Sequence, residues 1–155
     1  MKNYLRQYKI GFSLYGLIAF LLQELPYLPW FLWTPVNNPL ANNIPKILFF
    51  GMLEKFGGIL TVGLLILVIN KSVIRPIFKN KLLYASVLYL ITYYICWIFY
   101  FSGFTNAWLI VLGLSAVVPI YYLFVALWLK NYFVVFTSII FFISHTGSNM
   151  INYLL

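Results

Sequence analysis

The chain has 155 residues, of which 64% are apolar and 21% aromatic against 8% charged. With a mean hydropathy of +0.96, most of this surface has no reason to face water, which excludes an ordinary soluble domain. A net charge of +8 leaves only Glu24 and Glu54 as acids, and a single Cys and a single His exclude an internal disulfide and an ordinary Cys/His metal site.

The first residues carry Lys2, Arg6 and Lys9 ahead of an apolar run with no small-residue cleavage site behind it, so the start reads as a retained signal anchor. A first span is expected over about 10–25. From 26 to 46 five prolines alternate with four asparagines, a density of helix breakers and turn formers that forbids a continuous helix. Tyr27, Trp30, Phe31 and Trp33 are too apolar for a free aqueous loop, so this stretch is expected to lie along the membrane interface. Further spans are expected over 47–69, 82–101, 108–129 and 132–154, with a basic linker over 70–81. Each of these is about the 20 residues that cross a hydrocarbon layer. The fold class is therefore all-α: a polytopic integral membrane protein with a five-helix transmembrane bundle, forming a single membrane domain over 1–155.

Orientation follows from the cations. If the N-terminus is cytoplasmic, the inner segments hold Lys2, Arg6, Lys9, Lys71, Arg75, Lys79, Lys81 and Lys130, and the outer ones only Lys46. This predicts a plasma-membrane protein with a cytoplasmic N-terminus and an external C-terminus. The charge then needs no nucleic acid as partner, because Lys71, Arg75, Lys79 and Lys81 suit anionic lipid headgroups of the bilayer.

Ionisable groups at membrane depth are costly and so are the first candidates for a site. At about 1.5 Å per residue, Glu54 and Lys55 lie roughly 10 Å below the outer end of their helix, and His145 lies at the same level. Asn149 and Asn152 follow His145 on one face, Glu24 ends the first span, and Ser115 reaches a similar depth in the fourth. Two readings stand. In one, Glu54 and His145 face an outward polar cavity that takes a small ligand or a proton, with Lys55 reaching Glu24 or a carbonyl freed by Pro119. In the other, the layer is a helix-to-helix clamp, eased by small residues Gly51, Gly57, Gly58 and Thr61. The aromatic run from Tyr93 to Phe101 reads as belt and core, and Cys96 within it as a small apolar residue.

His-Glu-x-x-His, Gly-x-Ser-x-Gly and phosphate-loop motifs do not occur, so the expected function is non-enzymatic, without cofactor or metal. The leading expectation is an accessory or partner-binding membrane subunit, with another membrane protein or a second copy as partner. The alternative is a small transporter or ligand-binding membrane protein built on the cavity around Glu54 and His145.

Four strings carry a resemblance: Leu53-Glu54-Lys55-Phe56-Gly57, the run Tyr93 to Phe101, Ala116-Val117-Val118-Pro119-Ile120-Tyr121-Tyr122-Leu123, and Phe142-Ile143-Ser144-His145. In this order they resemble small multi-pass integral membrane proteins of Firmicutes, a family to which no activity is attached. The resemblance implies bacterial origin and a multi-pass topology, and no mechanism. The family pattern carries arginines where this chain has Gly58 and Phe99, so any site they serve is depleted here.

Overall fold

The computed structural model describes residues 6–35, 37–73 and 78–155. Its first element is a strand, β1 (Tyr8–Ile10), which pairs antiparallel with β2 (Val68–Asn70) in the register Tyr8↔Asn70, Lys9↔Ile69 and Ile10↔Val68. Backbone bonds from Gly11 to Leu67 and from Ser13 to Ile66 extend the contact past the ladder. Only then does α1 begin, over Leu14–Glu24, with the Ser13 hydroxyl accepting from Gly16 N–H as its cap.

This corrects the expected first span. Eleven residues rise about 16 Å, roughly half a hydrocarbon layer. The apolar residues before Ser13 are spent on a strand, and Pro26 bars continuation beyond Glu24. Lys9 accordingly sits on a strand and does not extend a helix.

Four other helices are long and apolar enough to cross a membrane. They are α2 (Leu48–Leu67), α3 (Lys81–Phe101), α4 (Val117–Trp128, continuous with a π-helical turn Leu109–Ala116) and α5 (Tyr132–Tyr153). The second expected span thus stops at Leu67, because Val68–Asn70 joins the ladder. Asn80 and Asn131 cap α3 and α5 by accepting backbone N–H groups. The widened turn precedes Pro119, which cannot donate to the carbonyls behind it, and Ser115 Oγ spans the wider ring to Ile110 O at 2.9 Å.

The stretch Leu109–Trp128 is the hub: 72% of it is buried, against 22%, 17% and 39% for α2, α3 and α5. It packs against α3 on one side and α5 on the other, while α2 pairs along α5 and α1 lies across α2 and α4. Close approach depends on small residues. A Cβ at Gly16 would stand 2.2 Å from Leu65 O, so α1 touches the backbone of α2, and a Cβ at Gly113 would stand 2.6 Å from Cys96 Sγ.

The residues between α1 and α2 form three single 3₁₀ turns, Leu25–Tyr27, Pro29–Phe31 and Pro39–Asn42, each started by a proline. Trp30 stacks on Tyr100 and, like Tyr27, meets the edge of Trp97, which pins this segment to α3. Trp33 and Leu32 remain exposed.

One end of the bundle gathers the cations. Lys9 and Lys71 flank the ladder, Tyr8 and Asn70 both donate to Lys130 O, and Phe78, just before Lys79 and Lys81, packs its ring on Tyr15. Lys46 lies at the other end, its Nζ 3.1 Å from Ile151 O. Asn131, buried at the basic end, donates to Leu64 O and Val68 O and so binds the α4–α5 turn to the foot of α2.

Candidate functional site

Helices α2 and α5 run antiparallel with glycines at the contact: a Cβ at Gly57 would lie 3.3 Å from Phe141 Cα, and one at Gly147 would lie 3.2 Å from Phe50 Cε1. That closeness brings the ionisable layer together. Glu54 Oε1 lies 2.8 Å from His145 Nδ1, each side chain 22% exposed. Phe141 stacks on the imidazole with ring centroids 5.0 Å apart, which fixes the ring from the side.

A carboxylate accepts, so this contact places a proton on Nδ1 and leaves Nε2 as the ring nitrogen that Glu54 does not engage. Nε2 has no partner among the described residues. Asn149 also approaches Nδ1 with its Nδ2, at 3.4 Å, and donates to His145 O at 2.9 Å. Its oxygen accepts from Asn43, whose own oxygen accepts from Asn152, while Asn152 Oδ1 accepts from Lys46 N–H. This asparagine chain ties the connector before α2 to the end of α5. The structure thus holds a carboxylate–imidazole pair between α2 and α5 and, toward Lys46, a chain of asparagines that joins the connector to α5.

Beside the pair lies a half-open groove of about 500 Å³ between α1, α2, α4 and α5. Phe20, Val62 and Val118 supply apolar wall, and Gln23, Glu24, Tyr122 and His145 supply the polar groups. Glu24 lines the groove directly, and Glu54 meets it through His145. One acid of the chain lines the groove and the other is bonded to a lining residue, and among the described residues no Lys or Arg lines it.

Lys55 is not part of this arrangement. It is exposed and bridges neither Glu24 nor the region of Pro119; among the described residues, Glu54 and His145 form the one ion pair. Its exposed side chain lies outside the groove lining, one turn before Gly58 and Ile59 on α2. Ser115 also stands apart, being buried and bonded within its own helix. Of the cations suited to headgroups, Lys71, Lys79 and Lys81 are exposed at the basic end, and Arg75 lies outside the described residues.

Sequence reasoning missed Gln23. Its side chain is 5% exposed, and its amide is held at both ends: Nε2 donates to Tyr93 OH at 3.2 Å, and Oε1 accepts from Tyr122 OH at 2.6 Å. Tyr121 OH donates to Ala19 O at 2.9 Å, and Tyr94 OH donates to Leu22 O. Four tyrosines from α3 and α4 thus fasten the short α1, and Tyr122 among them lines the groove. The available signal was the doublets Tyr93-Tyr94 and Tyr121-Tyr122 opposite a lone amide in an apolar run.

No family model, curated protein or solved structure matches the chain. The functional reading therefore rests on geometry and charge.

Proposed function

We propose that the chain is an integral membrane protein that binds a small amphipathic ligand with a cationic head in the groove between α1, α2, α4 and α5. The observation that carries this reading is the convergence of Glu24 and of the Glu54–His145 pair on a groove without Lys or Arg, in a chain of net charge +8. In a low-dielectric surround, an ammonium or similar head is attracted to Glu24 and can donate to His145 Nε2, while the apolar tail lies along Phe20, Val62 and Val118. Glu54 positions the imidazole and stabilises it if it takes the ligand's proton. A groove open toward the lipid admits such a ligand from the bilayer.

In this reading four helices span, α1 enters halfway, and the basic end faces the cytoplasm. The groove then lies toward the external leaflet, as the orientation of Glu24 at the far end of α1 requires. The reading draws on the transporter or ligand-binding alternative in preference to the accessory subunit, because a sorted polar groove is more than a partner-binding surface needs.

The test is equilibrium binding of tetraphenylphosphonium to the purified chain in nanodiscs. Glu24→Gln is expected to weaken binding about tenfold, or about 1.4 kcal/mol, with the melting temperature unchanged. Binding that is equal in wild type and Glu24→Gln would sink the proposal. Release of a co-purifying membrane protein by the same substitution would move the reading to an accessory subunit.

A further inference from the structure

At the basic end, a separate cavity of about 620 Å³ opens where the β1–β2 ladder meets the start of α1. Lys9 and Lys71 both line it, with Ser13, and with Phe12, Leu14 and Val73 as its apolar side. The ladder explains why the lysines share a face: Lys9 pairs with Ile69, and Lys71 N–H bonds to Gln7 O, so the two lysines are diagonal neighbours on one side of the ribbon. Such neighbours stand about 7–8 Å apart, a spacing at which two like charges repel unless an anion lies between them.

The protein supplies no such anion. Its two acids, Glu24 and Glu54, belong to the opposite half, Glu24 alone being about 16 Å along α1 from Ser13. Lys71 Nζ has one backbone acceptor, Arg6 O at 3.0 Å, and Lys9 has no polar side-chain partner among the described residues. The Ser13 hydroxyl uses its oxygen on the helix cap and keeps its proton free to donate.

We propose that this cavity is a discrete site for an anionic phospholipid. The phosphodiester sits between Lys9 and Lys71 and accepts from Ser13, and the glycerol and first acyl carbons lie on Phe12, Leu14 and Val73. The site is distinct from diffuse attraction by the basic linker, because it depends on two particular lysines held by the ladder. It is also independent of the groove in the other half.

The experiment equilibrates the full chain with vesicles of phosphatidylglycerol and phosphatidylcholine in equal parts and counts retained lipids by native mass spectrometry. Phosphatidylglycerol should be retained about tenfold over phosphatidylcholine. Lys9→Gln with Lys71→Gln should abolish that preference, and Lys9→Arg with Lys71→Arg should keep it, which guards against a folding artefact. Lys79→Gln with Lys81→Gln removes the same charge from the diffuse linker and should lower the preference less than the Lys9 and Lys71 pair does. Equal loss in both glutamine pairs, or no preference in the wild type, overturns the proposal. Displacement of the lipid by millimolar inorganic phosphate overturns the lipid assignment and makes the site one for the free anion.

Discussion

Replacing His145 by leucine is expected to destabilise the protein by about 2–3 kcal/mol, because it strips the partner from a carboxylate held at membrane depth. Glu54→Leu alone should cost less, about 1 kcal/mol, since the imidazole it leaves keeps its stack on Phe141. The double replacement should return to within about 1 kcal/mol of wild type, an apolar pair being a tolerable substitute for a buried ion pair. Unfolding of the three variants in mixed micelles measures this cycle. It also separates stability from binding: the double variant should be folded yet bind a cationic probe poorly. A double variant destabilised by the sum of the two single costs would mean that the two side chains act independently, against the 2.8 Å contact.

The second large effect is expected at Gly16. An added methyl would meet Leu65 O at 2.2 Å and Leu65 C at 2.9 Å, and backbone cannot move aside as a flexible side chain can. Gly16→Ala should therefore cost about 3 kcal/mol, at the upper end for overpacking. Displacing α1 also withdraws Gln23 from Tyr93 and Tyr122 and opens the groove, so ligand binding should fall with stability. Gly63→Ala serves as the control, because a Cβ there meets nothing within 4 Å. Equal thermal stability of the two variants would contradict the close approach of α1 to α2.

How much of this was legible in the sequence depends on range. Four long helices follow from runs of apolar residues bounded by Asn, Pro and charge, which are local signals. The level shared by Glu54 and His145 follows from counting 1.5 Å per residue inward from those bounds, and the structure brings the two side chains together. Facing is another matter: hydropathy does not say which way a tyrosine points, so Tyr93 reads as belt and core although, with Tyr122, it grips Gln23. The ladder was not legible either. Tyr8–Ile10 is three residues long and pairs with a segment some sixty positions later, a contact that no local periodicity marks, and its apolar character made it look like the start of a span. Lys55 shares its level with Glu54, but level does not decide contact: its side chain is exposed and lies outside the groove lining.

The central claim is that charge, and not apolar area alone, selects what the groove holds. Photo-cross-linking of the reconstituted chain tests it directly, with a diazirine-tailed amphiphile bearing a primary amine head and its neutral N-acetylated twin, and with labels mapped by mass spectrometry. The amine should label the groove around Phe20, Val62 and Val118 at least about fivefold more than its twin, and Glu24→Gln should remove the difference. Equal labelling of the groove by both forms in the wild type would contradict the account.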